Sequence, residues 1–127
     1  MSFLDNLKIT YEGNYGEESL FCSGLPGGTR LIERININYE YELSIQASEM
    51  HYCIPRAFVP LNEYTHFELA LICRDRLTRN VDLLEDFNKK HKLLEHQEGT
   101  IYTYVPKELV QELYDYLKNN YTLGGNK

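Results

Sequence analysis

One short stretch of the chain gathers the residue types that could do chemistry. It runs Glu49-Met50-His51-Tyr52-Cys53-Ile54-Pro55-Arg56. If it is extended, residues two apart point the same way, and His51 and Cys53 share a face. Such a pair could ligate a transition metal or form a thiolate–imidazole pair. Either chemistry needs a third group, a further ligand or a residue that orients the imidazole. His66, His91 and His96 qualify only if the fold brings them close. A lone cysteine more often serves as a small buried hydrophobe. Arg56 follows Pro55, which stiffens the backbone beside it, and its planar fork suits a carboxylate or phosphate. The competing reading is a surface arginine paired with Glu49. Glu68 lies in an apolar stretch, where a buried carboxylate could act as a general base; the alternative is a place on a wet face near a sheet edge. The expected site is a binding loop over 49–64 carrying His51, Tyr52, Arg56, Tyr64 and Glu49. No catalytic residue, metal or cofactor is expected.

The elements that would hold this loop are legible on both sides of it. From Ile35 to Ala47 apolar and polar residues alternate strictly: Ile35, Ile37, Tyr39, Tyr41, Leu43, Ile45 and Ala47 share one parity. Period two marks a strand with one buried and one wet face, typical of antiparallel sheets. At about 3.4 Å per residue, an unbroken strand of this length would run roughly 44 Å, so a bend or bulge is expected. Leu7–Tyr11 and Ser19–Cys22 read as shorter strands, separated by Gly13, Asn14 and Gly16. Gly24-Leu25-Pro26-Gly27-Gly28 reads as a turn. Alternation stops at Ser48, and Pro55 and Pro60 argue against a regular element as far as residue 64. It resumes over Phe67–Cys73, an interior strand. Asn80 could cap a helix reaching about Leu94, with Val81, Leu84, Phe87, His91 and Leu94 near helical spacing. Thr100 to Val105 is a strand with Tyr102 and Tyr104 on one face. Pro106 then suits the first position of a helix. Leu109, Val110, Leu113, Tyr114, Leu117 and Tyr121 form its apolar stripe. The pattern gives one α+β domain over 1–127: a mostly antiparallel sheet of about five strands, covered on one face by one or two helices. Residues 122–127 read as a loose tail.

Composition narrows the function. The chain has 127 residues, of which 43% are hydrophobic and 25% charged, ordinary globular usage. Lys and Arg number 13 against 19 Asp and Glu, a net charge of −6. Generic nucleic-acid binding, which draws on phosphate contacts, is disfavoured. The three cysteines are an odd number without a C-x-x-C pair, which fits a reducing cytoplasm rather than a disulfide framework or structural zinc. No apolar run is long enough for a membrane span, and the opening residues, without a basic flank or a long apolar stretch, are not expected to act as a secretory leader. Phosphate-loop, dinucleotide, nucleophile-elbow and zincin motifs are absent. There are 11 tyrosines and no tryptophan. Tyr11, Tyr15, Tyr52 and Tyr64 are expected at the surface, where a rigid amphipathic ring favours binding.

The stretches His51–Arg56, Tyr64–Ala70 and Tyr104–Leu113 resemble small uncharacterised proteins of bacteriophages and prophages in Gram-positive bacteria. The resemblance covers roughly residues 45–120 and carries no activity. It implies a phage accessory protein, including an inhibitor of host defence. The expectation is therefore a non-enzymatic, cytoplasmic binding protein that covers a surface of a host or phage protein. The alternatives are a binder of a small nucleotide-like anion through Arg56, His51 and Tyr52, and an enzyme of unrecognised type.

Overall fold

Hydrophobic alternation builds the sheet, and one amphipathic helix closes it. The computed structural model describes residues 2–12, 30–38, 40–57, 59–73, 76–78 and 84–121. A short 3-10 turn, Phe3–Asn6, leads into β1 (Ile9–Glu12), which pairs antiparallel with β2 (Arg30–Ile32) as a separate ribbon. The main sheet holds β3 (Ile35–Asn36), β4 (Tyr41–Gln46), β5 (His66–Cys73), β7 (Gln97–Glu98) and β8 (Ile101–Pro106), in the order β3-β4-β5-β8-β7. A sixth strand, β6 (Arg76–Thr78), pairs with β5 off this path. All of these pairings are antiparallel. β5 is the central strand. One edge takes β4 along Glu68–Cys73, while the other is shared, β8 bonding its first part and β6 its end. Helices α1 (Lys90–Leu94) and α2 (Lys107–Tyr121) follow.

The α+β architecture is the expected one, and α2 lies on the expected face. Leu109, Val110, Leu113, Tyr114 and Leu117 form one buried cluster with Ile35, Ile37, Leu43, Ile45, Phe67, Leu69 and Leu71. The 3-10 turn is fastened to the same helix. Phe3 N–H donates to Gln111 Oε1 at 2.8 Å, the Asn6 amide donates to the Tyr114 hydroxyl, and the Phe3 ring meets Phe67 edge-on at 5.4 Å.

Four expectations change. The stretch 35–47 is two strands rather than one bent strand. Asn38 Oδ1 accepts the N–H groups of Glu40 and Tyr41 and turns the chain between them. Ile35 then pairs with Leu43 and Asn36 with Glu42. Residues of equal parity face each other in this register, so the period-two pattern passes through the hairpin unbroken.

The expected helix to Leu94 is a single short turn. Before it, Phe87 N–H bonds Leu84 O and Lys90 N–H bonds Phe87 O, tight i→i+3 contacts that bury Leu84 and Phe87 without a continuous helix. Leu93 is the fully buried residue of α1, and His91 is exposed. Pro106 ends β8 instead of starting the helix; it pairs with His66, and Lys107 N–H bonds Thr65 O at 2.8 Å.

Tyr102 and Tyr104 do not share a face. Between the pairs Phe67–Val105 and Leu69–Tyr102, β8 advances one residue more than β5. This bulge holds Tyr104 at φ +52 and turns its ring outward, while Tyr102 stays fully buried. Several expectations fall outside the described residues: the Ser19–Cys22 strand, the turns at 13–16 and 24–28, Tyr15, the Asn80 cap with Val81, the 122–127 tail, and the side chains of Tyr11, Tyr39 and Tyr121. No helix among the described residues is long and apolar enough to cross a membrane.

Leu113 tests the helix-on-sheet docking. Its side chain is fully buried, so Leu113→Ala should lower urea-measured stability by about 2–5 kcal/mol. A loss near the ~0.5 kcal/mol of surface substitutions would contradict the docking.

Candidate functional site

The described residues of 48–65 form no strand and no α-helix, yet each end is tied down by named bonds. At the entry, Ser48 is fully buried and its side chain organises the turn. Its Oγ accepts Met50 N–H at 3.1 Å and shares a hydrogen bond with His51 Nδ1 at 2.8 Å, and its carbonyl accepts His51 N–H. Cys53, also buried, points its Sγ at the carbonyls of Ser48 and Pro55, at 3.2 and 3.4 Å. At the exit, Ile54 bridges His66 at the start of β5, and Leu61–Glu63 form a 3-10 turn. The Ile54–Pro55 peptide is cis.

Tyr64 was expected at the surface and is instead fully buried. Its hydroxyl has a hydrogen-bonding job inside the loop. It donates to Ala57 O at 2.6 Å and accepts Val59 N–H at 3.3 Å and an Arg30 Nη1 proton at 3.2 Å. Its ring packs against Phe67 at 5.8 Å. Arg30, at the start of β2, is buried too; it also reaches Ala47 O at 3.3 Å and lies 5.8 Å from the Tyr64 ring centre. Tyr64 therefore supports the loop from below and is not part of its exposed surface.

That surface is a row of three side chains. The Arg56 guanidinium lies over the Tyr52 ring, 4.9 Å from its centre, and the Tyr52 ring meets Tyr104 at 5.8 Å and 61°. A cation over an exposed ring contributes about 0.5–1 kcal/mol. The backbone fixes the row. Tyr52 N–H donates to Glu68 Oε1 at 2.9 Å, Tyr52 O accepts Tyr104 N–H at 3.0 Å, and Arg56 Nε donates to Glu49 O at 3.3 Å. Arg56 thus meets the carbonyl of Glu49, not its carboxylate. Tyr52 and Tyr104 remain 40% and 37% exposed, and Met50 and Ile54 are exposed beside them in sequence. Of the six exposed large apolar side chains among the described residues, these are four.

His51 does not join the row as a ligand. Cys53 N–H bonds His51 O across a tight turn, so the extended geometry that would align His51 with Cys53 is absent. Burial, with the Arg30 and Arg56 charges, pulls its imidazole from the usual 6.5 to about 4, which keeps it neutral near pH 7. Burial pushes the Cys53 thiol up, and Glu68 with it, although Tyr52 N–H and Arg56 oppose the Glu68 shift. Ser48 and His51 have the composition of a nucleophile and its base, but the Ser48 hydroxyl is sealed from solvent and caps the turn. Among the described residues no group of three or more His, Cys, Asp and Glu is placed to hold a metal.

The structure therefore brings Tyr52 and Arg56 together, leaves Glu49 contributing its backbone, and places His51 and Tyr64 behind the surface. Sequence reasoning missed Tyr104 and Arg30. Both parities of 101–105 carry apolar residues, so nothing announces the bulge. Arg30 stands beside a glycine-rich stretch, without a local partner to suggest burial. A cleft of about 340 Å³ between α1 and the first turn of α2 competes as a site. Its Lys89 is paired with Glu112 at 3.0 Å, and Glu95 and Glu108 also line it, so it offers an anion little net attraction. Comparison with family models, curated proteins and solved structures found no match to this chain.

Two outcomes check this geometry. The folded His51 binds its proton less readily than the unfolded chain does, so its contribution to stability is complete above about pH 6.5 and is lost as the pH falls toward about 4. Glu68, shifted upward, acts in the opposite direction. Urea midpoints at about pH 7 and about pH 5 should therefore fall less in His51→Gln than in wild type; equal slopes would refute the burial of the neutral ring. At Tyr104, both Tyr104→Gly and Tyr104→Ala remove the ring, but only glycine is at ease at φ +52. The glycine variant should be the more stable by about 1 kcal/mol, read from thermal melts, and the reverse order would contradict the positive φ.

Proposed function

We propose that the chain is a small acidic binding protein that covers a surface of a protein partner with the Arg56–Tyr52–Tyr104 row and the neighbouring Met50 and Ile54. The observation that carries this reading is the row itself: exposed aromatic rings and a guanidinium held by backbone bonds. Tyrosine and arginine dominate binding hot spots because they cover area and keep a polar handle. A side chain ordered before contact loses less entropy on binding. The resemblance of the sequence to phage and prophage proteins supplies the setting: a phage accessory protein in the host cytoplasm, whose partner is a host or phage protein, a host-defence protein included. A nucleotide-like anion gripped by Arg56, His51 and Tyr52 has less support, since His51 is neutral and its Nδ1 is engaged by Ser48.

A Tyr52→Ala, Arg56→Ala double variant tests the reading. Circular dichroism melts should stay within a few degrees of wild type, because both side chains are exposed. A host protein captured from lysate by the wild type should be lost, each hot-spot residue being worth roughly 2 kcal/mol or more. Undiminished capture by the double variant would remove this surface from the function.

A further inference from the structure

We infer that the partner segment received by this surface presents a carboxylate beside an apolar side chain; the inference rests on the protein-binding reading above. Arg56 is already engaged on two sides. One face of its guanidinium is taken by the Tyr52 ring and its Nε by Glu49 O. Among the described residues its two terminal amino groups make no hydrogen bond and no salt bridge, and Glu68 feels its charge without meeting it in an ion pair. What remains is the edge of the fork, two parallel N–H donors that match the spacing of a carboxylate. An ordinary surface arginine would have to be immobilised on binding, whereas stacking and the Nε bond already hold this one.

The surroundings select among anions. The Tyr52 ring lies against this cation and the Tyr104 ring against Tyr52, while Met50 and Ile54 are exposed close to Tyr52 in sequence. Glu68, bonded to Tyr52 N–H, adds a negative charge on the sheet side, and the whole chain carries −6. A polyphosphate or nucleic acid would meet that field with several charges at once. A single carboxylate next to an aliphatic or aromatic group places one charge on the fork and apolar surface on the rings. The chemistry is that of an acidic residue, or a chain terminus, flanked by a hydrophobic residue.

The test uses the full chain labelled with ¹⁵N, titrated with N-acetyl-L-phenylalanine, its primary amide and inorganic phosphate. The carboxylate probe should shift the Tyr52 and Tyr104 amides and the Arg56 Nε–H saturably, about tenfold more tightly than the amide. Arg56→Lys should lose most of that preference, since an ammonium has no planar fork. Equal binding of acid and amide at these residues overturns the inference and leaves the protein-binding surface standing. Phosphate binding there more tightly than the acid overturns it in favour of an anion site. No saturable shift with any probe also overturns it, and the capture experiment with the double variant then judges the surface separately. A preference for the acid that survives Arg56→Ala places the carboxylate elsewhere and overturns it too.

Discussion

A single phenolic oxygen stands under the loop that this structure presents to solvent. Tyr64 Oη donates once, to Ala57 O, and accepts twice, from Val59 N–H and Arg30. Buried polar groups without partners cost about 1–3 kcal/mol each. A loop with only one 3-10 turn and one bridge to satisfy its backbone needs side chains for the rest. Tyr64 meets the need at the loop's exit and Ser48 at its entry. The Tyr64 ring, pressed against Phe67, anchors the hydroxyl to the sheet. The irregular segment is therefore held by the same core that α2 covers.

Two neighbouring strands carry the rest of the load. Glu68 of β5 receives Tyr52 N–H, and the bulge in β8 releases Tyr104 N–H to Tyr52 O. Tyr52 is thus clamped through both of its backbone groups while its ring faces out. Pre-ordering of this kind lowers the entropy lost on association, and it also explains a half-buried carboxylate in an apolar strand. Glu68 accepts the Tyr52 N–H from the side of the sheet. The strained dihedral at Tyr104 belongs to the same arrangement, since a non-glycine residue at positive φ persists where its surroundings hold it there.

What the sequence made legible followed from burial. The parity of Ile35–Ala47, the apolar face of Phe67–Cys73 and the stripe of α2 all report which side chains leave water, and among the described residues they are buried as read, Tyr41 and Cys73 only partly. Parity could not reveal the hairpin at Asn38, because its register keeps equal parities opposed. Of the site, the segment and the pair Tyr52–Arg56 were legible from composition and the end of alternation. The burial of Tyr64 is not legible, because a tyrosine in a proline-rich loop looks like surface when the backbone groups it must satisfy are unseen. The outward turn of Tyr104 is not legible, because a bulge is a matter of register between strands far apart in sequence. Arg30 and Glu68 act through partners on other elements, which local pattern does not encode.

The bulge has a further consequence, for the way such a surface could be gained or lost. On β8 the step from Val105 to Tyr102 spans one residue more than the step from Phe67 to Leu69 opposite it. Removing a single residue there would restore regular pairing and leave both flanking pairs in place. The sheet would keep its buried face, and the outward ring with its N–H bond to Tyr52 would vanish. The exposed row is thus specified by chain length at one point as much as by residue type. A one-codon deletion in a descendant gene would switch it off without touching the core, and a one-codon insertion in an ancestral strand would have been enough to create its opening.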